Sequence, residues 1–268
     1  MTIKVGVTGA CGRMGRMLVE ATHGAAGCAL GTASDYPAHA LIGSDAGELA
    51  GMGKLGVLVG GDGEVTFRDA DVVIDFSVVD ATLAHLKQAL AYQTPIVIGT
   101  TGFSNAEREQ IVQAAKEIPV VFAPNYAVGV NLLFKIAAEV ASIIGDDYDI
   151  EIVEAHHRHK VDAPSGTALG LGEAIAAAVD RNLDEVAIYG REGQTGARDD
   201  KTIAFSTIRA GDIVGDHTAM FATDGERLEL THRASSRMTF AKGAVRAAKW
   251  VVDQKPGLYD MRDILGFK

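Results

Sequence analysis

The sequence predicts an α/β chain in two parts: a parallel-sheet domain, then an α+β domain whose sheet is mostly antiparallel or mixed. Three observations carry this. An apolar run, a Gly-rich turn, a helix-period segment and a second apolar run follow one another within about 30 residues, the order of a βαβ unit. Strand-length apolar runs then alternate with helix-period segments as far as Asn125, as in a sheet covered on both faces. Late in the chain, strand-like runs succeed one another with no helix between them.

Taken in order, residues 3–7 (IKVGV) form a buried strand, 13–22 a helix and 28–33 a second strand. Between Asp35 and Asp69 the periodicity is poor, and the glycines from Gly43 to Gly63 suggest a long irregular excursion. Residues 72–76 (VVIDF) are a strand apolar on both faces, followed by helix 81–92, strand 95–98, helix 105–117 and strand 120–123. The second part opens with an amphipathic helix, 130–144, and a half-buried strand, 149–155 (DIEIVEA), that alternates with period two. Residues 164–179 read as a helix with Pro164 in its first turn. Strands follow at 202–209, 214–222 and 227–232, and their short connections predict antiparallel neighbours. A last helix spans 240–252. The division expected is 1–127 with 237–268 as one domain, and 128–236 as the other.

Composition narrows the function classes. A chain of 268 residues that is 47 % hydrophobic buries a sizeable core and is not disordered. Lys plus Arg is 25 against 35 Asp plus Glu, and the resulting −10 disfavours nucleic acid as a partner. No apolar run reaches the length of a membrane span, and the first residues lack a signal-peptide core. Two cysteines, Cys11 and Cys28, make no disulfide framework, so the expected location is the cytoplasm. Glycine is the outlier, 31 residues or roughly 12 % against a usual share of about 7 %.

The first glycine turn is Gly9-Ala10-Cys11-Gly12-Arg13-Met14-Gly15, a G-x-x-G-x-x-G form of the dinucleotide fingerprint. Glycines there permit a tight turn, close backbone approach to a pyrophosphate and close helix–strand packing, while the helix N-terminus offers free N–H groups. A strand precedes it and a helix follows. Asp35, 20 residues beyond Gly15, ends the second strand, where an acid bonds an adenosine ribose hydroxyl. The domain is therefore expected to be a Rossmann-like nucleotide domain. Its cofactor is NADH and/or NADPH. Asp35 followed by Tyr36 favours NADH, because a carboxylate repels a 2′-phosphate, while Arg13 lies where it can reach one. Gly99-Thr100-Thr101-Gly102 and Ala123-Pro124-Asn125-Tyr126 end the next strands, where ligands of open sheets bind, and Asn125 is a candidate for the nicotinamide carboxamide.

The richest segment is Glu154-Ala155-His156-His157-Arg158-His159-Lys160-Val161-Asp162-Ala163-Pro164-Ser165-Gly166-Thr167-Ala168. Three of the eight histidines fall within four positions, with Arg158 and Lys160 interleaved. In an acidic chain this cationic cluster suits a small dicarboxylate, one carboxylate on the N–H groups of Ser165, Gly166 and Thr167 and the other near the cations. Acid–base chemistry beside a nicotinamide competes with two alternatives: metal ligation by His156, His157 and His159, and a solvated strand end. Adjacent histidines on a strand point to opposite faces and no acid or Cys stands at ordered spacing, so no metal is expected.

The segments at 9–15, 99–102 and 154–168 together closely resemble the dihydrodipicolinate reductase (4-hydroxy-tetrahydrodipicolinate reductase) family, and the resemblance runs over nearly the whole chain. Ser44–Leu49, Arg209–Gly215 and Ser235–Phe240 also look like family segments. The resemblance implies a nicotinamide domain interrupted by a substrate and oligomerisation domain, with the C-terminal helix returning to the first. It implies NAD(P)H-dependent reduction of a cyclic imine dicarboxylate to tetrahydrodipicolinate in the diaminopimelate route to lysine. It marks His156 and Lys160 as catalytic, and His157, Lys160, Ser165, Gly166 and Thr167 as substrate-binding. Gly9 to Met14, Asp35, Gly99 to Thr101 and Ala123 to Tyr126 match cofactor positions, and a homotetramer is the usual assembly. Many relatives carry Arg where this chain has Tyr36. Another imine or carbonyl reductase would share the 9–15 turn without needing the 156–167 block. A non-catalytic dinucleotide sensor would need Asp35 but no Lys160.

Overall fold

A computed structural model describes residues 2–267 and divides the chain into two units: residues up to Val128 with those from Arg237 onward, and Gly129–Ser236. The first unit begins with β1 (Ile3–Thr8), α1 (Arg13–His23), β2 (Cys28–Ser34), α2 (Ala46–Leu49), β3 (Val59–Gly60) and α3 (Gly63–Arg68). It continues through β4 (Val72–Asp75), α4 (Val79–Tyr92), β5 (Ile96–Ile98), α5 (Asn105–Ala114) and β6 (Pro119–Phe122). The second unit contains α6 (Val128–Ile144) from its second residue onward, β7 (Asp149–His156), α7 (Gly166–Ala178), α8 (Leu183–Val186), β8 (Ala187–Tyr189), β9 (Ile203–Arg209), β10 (Gly215–Thr223) and β11 (Glu226–Ala234). The chain then returns to the first unit as α9 (Met238–Val251), β12 (Gly257–Tyr259) and α10 (Met261–Leu265). Among the described residues no helix is long and apolar enough to cross a membrane.

The first unit is a seven-stranded sheet in the order β12-β6-β5-β4-β1-β2-β3, every pair parallel. Val5, Val7, Val72, Ile74, Val97 and Val121 on one face, and Val73, Ile96, Ile98 and Val120 on the other, are wholly buried, because helices cover both faces and apolar side chains are needed on each. The strand order reverses between β1 and β4, so the turn after β1 lies at the switch point where open sheets take their ligands.

The glycine-rich stretch is less irregular than its sequence suggests. It holds α2, β3 and the start of α3, organised by one buried carboxylate. Asp45 caps α2 by accepting from Gly47 and Glu48 N–H at 2.8 and 3.2 Å, then accepts from Leu55 and Gly56 N–H at 3.1 and 2.7 Å. Those N–H groups, led by Leu55, hold the Asp45 carboxyl below its ordinary range against the opposing pull of desolvation. Gly51, Gly53 and Gly56 take positive φ between the groups Asp45 gathers, which accounts for glycines that carry no fingerprint.

The second unit is a five-stranded mixed sheet in the order β11-β10-β7-β9-β8. Here the expectation of three antiparallel neighbours is corrected. β10 pairs antiparallel with β11 and with β7, but β9 pairs parallel with β7 and does not touch β10. Strands are about 4.8 Å apart, so the five-residue link 210–214 easily crosses one intervening strand. Leu133 and Ala137 of α6 and Leu171 and Ile175 of α7 cover one face, against Ile150, Ile152, Phe205, Ala219 and Phe221. The α7 boundary is also corrected. The helix starts at Gly166 with Ser165 as its cap, and Pro164 lies outside it.

Candidate active site

In the first unit the glycine turn is built as an anion cradle. Helix α1 starts at Arg13 with no side-chain cap and no acidic residue in its first turn, so its end is left for a negatively charged group. Gly9 takes φ +67°, and a Cβ on Gly15 would stand 2.0 Å from the Gly9 carbonyl oxygen, so neither position admits another residue. Asp35 does not hang free. Its Oδ2 accepts from Cys11 N–H at 2.8 Å and its Oδ1 from Tyr36 N–H at 2.7 Å. The carboxylate is thereby fixed beside the turn, with acceptor capacity left for a ribose hydroxyl. Its proximity and burial push the Cys11 thiol up to about 11, desolvation being the larger cause. The hydroxyls of Thr8 and Ser34, at the carboxyl ends of β1 and β2, are buried without a partner among the described residues. The uncapped helix end, the glycines and the fixed acid fit a nicotinamide dinucleotide.

In the other loops of this unit several side chains are engaged within the fold. Thr100 is buried, and its hydroxyl accepts from Ser77 N–H at 3.1 Å and Thr82 Oγ1 at 2.8 Å, so it holds the loop together. Gly99 is bare because a Cβ would fall 2.1 Å from the Phe76 ring. The Tyr126 side chain lies in the core, donating its hydroxyl to the carbonyls of Ile98 at 2.7 Å and Val121 at 3.2 Å. Ala123 is buried with it. The side chains of these two residues are taken up by the core. Asn125 Oδ1 accepts from Ala127 N–H at 2.9 Å, which fixes the side chain at the strand end. Thr101, Gly102 and Pro124 are exposed at the same strand ends.

In the second unit the period of two explains the site. Ile150, Ile152, Glu154 and His156 point to the helix-covered face of β7, so the core pattern runs on into two charged positions. Register places Thr207 and His217 beside Glu154, and Arg209 beside His156. Glu154 is fully buried and is saturated with donors. Its Oε2 accepts from His156 Nδ1 at 2.6 Å and Arg209 at 2.8 Å, and its Oε1 from Arg209 at 2.8 Å, Ser165 N–H at 3.0 Å and Thr207 Oγ1 at 3.4 Å. Burial alone would raise its pKa, but the hydrogen bonds from Arg209, His156 and Ser165 outweigh it and bring the carboxyl to about 2. For His156 the balance falls the other way. Desolvation outweighs the Glu154 charge and lowers the imidazole below its ordinary value.

Beyond His156 the chain turns. Ala210 N–H donates to the His156 carbonyl and Arg158 N–H to Gly211, which pins the cationic loop to the β9–β10 link. Half-buried Lys160 pairs with exposed Asp162, its Nζ 2.8 Å from one carboxylate oxygen and 2.9 Å from the other, with donor capacity left for another acceptor. Gly166 is exposed with open space around its Cα, and Thr167 is half-buried beside it. Ser165 is corrected as a ligand-binding residue. Its hydroxyl is buried, accepts from Ala168 N–H at 3.1 Å and bonds His217 Nε2 at 3.0 Å, while its N–H serves Glu154. His157 rests near the His159 ring, 6.2 Å between centroids.

The family model described as dihydrodipicolinate reductase, N-terminus, matches residues 3–126, and the one described as dihydrodipicolinate reductase, C-terminus, matches residues 129–265. The chain belongs to the dihydrodipicolinate reductase family. The 4-hydroxy-tetrahydrodipicolinate reductase of Magnetococcus marinus is 85 % identical to it over 268 residues, all of both chains. That of Alkalilimnicola ehrlichii is 57 % identical over 266 residues, covering 99 % of this chain and all of the relative. Among solved structures, a dipicolinate-bound dihydrodipicolinate reductase from a Paenisporosarcina species aligns with a TM-score of 0.76 at 26 % identity, over 98 % of this chain and 100 % of the other. A probable dehydrogenase from Thermotoga maritima, at 13 % identity and a TM-score of 0.64 over 98 % of this chain and 92 % of its own, shares the fold.

Three residues that the structure gathers around His156 are not among the site residues expected from the sequence: Glu154, Arg209 and His217. Counting alternate positions along β7, β9 and β10 from their buried ends marks all three as inward-facing, a usable signal once the strand register is known.

Proposed function

We propose that this chain reduces 4-hydroxy-tetrahydrodipicolinate, by way of dihydrodipicolinate, to tetrahydrodipicolinate in the diaminopimelate route to lysine. Full-length identity of 85 % to a 4-hydroxy-tetrahydrodipicolinate reductase carries this reading, together with a site chemistry that suits a cyclic imine dicarboxylate. NADH is the favoured donor over NADPH, since Asp35 stands fixed beside the glycine turn and Tyr36 follows it.

When bound, the reduced nicotinamide supplies a hydride to the ring C4. Gly9, Gly12 and the α1 N-terminus would hold its pyrophosphate and Asp35 its ribose, with exposed Thr101, Gly102 and Pro124 and half-buried Asn125 toward the nicotinamide. On the substrate, hydride addition at C4 displaces electrons along the conjugated C=C–C=N system toward the ring nitrogen. Lys160 carries a positive charge to stabilise that developing charge and a proton to deliver to it. His156 lies on the same loop base and assists as the acid–base partner. One ring carboxylate sits against Gly166 and Thr167 at the start of α7, and His157 and Lys160 meet the other.

We also infer a cytoplasmic enzyme, whose cysteines are both unpaired, and a homotetramer formed through the sheet face that carries Val153 and Ile208, the latter 48 % exposed. Light scattering tests the assembly. The reaction is tested by NADH oxidation with the freshly formed condensation product of pyruvate and aspartate semialdehyde. A rate well above background, inhibited by pyridine-2,6-dicarboxylate, is expected. No rate with either cofactor would turn the assignment toward another imine reductase or a sensor.

A further inference from the structure

We propose that Glu154 is a positioning residue of this site, fixing with Arg209 both the tautomer of His156 and the turn that opens α7. The inference rests on the reaction assigned above, and its first test does not depend on that reaction.

A carboxylate with no exposed surface is stable only when its lone pairs are matched. Arg209 matches two of them in a bidentate pair, one guanidinium nitrogen on each oxygen, and also donates to the Asp162 carbonyl. The charge of Glu154 is therefore locked in place. An ionised carboxylate can only accept, so the 2.6 Å contact requires the proton of His156 to sit on Nδ1. The neutral ring then carries its free lone pair on Nε2, which makes no hydrogen bond among the described residues and lies over Gly215, where a Cβ would approach it to 3.0 Å.

The groups that face His156 come from every side. Glu154 lies on its own strand and Arg209 on β9. The His217 ring packs edge-on from β10, 5.0 Å between centroids, and Lys160 and its partner Asp162 follow in the loop. Lys160, Arg209 and burial all disfavour an imidazolium, and only Glu154 favours one. His156 thus stands neutral near pH 7 with an accepting Nε2, which leaves proton donation to Lys160. The same Glu154 oxygen that takes Arg209 also takes Ser165 N–H, so one side chain orients the acid–base histidine and the carboxylate-binding turn together.

Nitrogen-15 NMR of the histidine-labelled wild-type protein reads the tautomer directly. His156 is expected in the Nδ1–H form, and an Nε2–H form would overturn the proposal whatever the enzyme's substrate. In Glu154→Gln the amide oxygen can still accept from Ser165, while its NH2 favours the opposite histidine tautomer. The variant should shift His156 toward Nε2–H and lower kcat by at least about tenfold. KM should stay within about threefold. The limb of the pH–rate profile that reports His156 should move to lower pH, because the only charge favouring its protonation is gone. Glu154→Asp should recover part of kcat. A folded Glu154→Gln with unchanged tautomer, or with shifted tautomer and unchanged kcat, would sink the proposal. If Glu154→Gln fails to fold, the wild-type spectrum decides. If wild type gives no turnover while its spectrum shows Nδ1–H, the reaction assignment fails and the Glu154–His156 arrangement stands.

Discussion

A Cβ on Gly243 would stand 1.8 Å from the carbonyl oxygen of Tyr126 and 2.7 Å from its carbonyl carbon. Gly243 is buried in the middle of α9, the helix by which the chain returns to the first unit. Tyr126 cannot yield, since its hydroxyl is tied to the Ile98 and Val121 carbonyls. Gly243→Ala gains at most about 1 kcal/mol in helix propensity. The backbone overlap should cost more than about 3 kcal/mol, beyond ordinary overpacking. Urea denaturation should show this loss. Gly24→Ala, whose Cβ meets nothing closer than 3.5 Å, is the matched control and should stay within about 1 kcal/mol. Equal stability of both variants would mean that α9 does not rest on Tyr126.

Lys160→Ala separates chemistry from folding. The ion pair to Asp162 is half in solvent on the Asp162 side, so its loss should change stability by less than about 1 kcal/mol. Loss of the proton donor should lower kcat by about 10²- to 10⁴-fold. Steady-state rates beside a melting curve test both halves. A near-normal rate would remove Lys160 from the mechanism.

Asp35 is a second lever: its carboxylate braces Cys11 N–H, and on the proposed cofactor reading it would repel a 2′-phosphate. Asp35→Ser should lower kcat/KM for NADH and raise the NADPH to NADH efficiency ratio by about tenfold, worth about 1.4 kcal/mol of differential binding. It should also lower Tm slightly, since one bond to the glycine turn weakens. An unchanged ratio would place the ribose elsewhere.

Much of this was legible in the sequence because the relevant signals are periodic. The β1–α1–β2 unit announces itself by its switch from period two to period 3.6 around three glycines, and the 156–167 block by its density of cations before a Gly-Thr helix start. Two things were not legible, for physical reasons. The 43–63 stretch takes its order from the four backbone N–H groups gathered by Asp45, and one carboxylate leaves no repeat in the chain. The partners of Glu154 come from β9 and β10, and which strands flank β7 depends on a link that crosses it. Short connections favour adjacent strands, so the sequence marks Arg209 and His217 only as strand residues. The same register hid that Ser165, an apparent ligand for a bound anion, already has its anion in Glu154.

His217 gives a stability prediction with a definite sign. It is buried, with its Nε2 on Ser165 and no partner for Nδ1 among the described residues. Desolvation, with a smaller push from His156, lowers its pKa from 6.5 to about 3. Between those values the unfolded chain binds a proton that the native state refuses, so its contribution to stability is complete above pH 6.5 and drains away as pH falls toward 3. His156 and His232 are lowered too and act in the same direction, whereas Glu154, lowered from 4.5 to about 2, acts only further down. The window from pH 6 to 5 therefore isolates the histidines. His217→Gln keeps a polar group for the Ser165 hydroxyl and removes the titration. In that window its unfolding free energy should fall with decreasing pH less steeply than that of wild type, by about 1.4 kcal/mol per pH unit, the slope of one proton. Urea titrations at several pH values measure it. Parallel slopes for the two proteins would show that His217 is protonated in the fold, and the neutral Ser165–His217 contact that caps α7 would have to be abandoned.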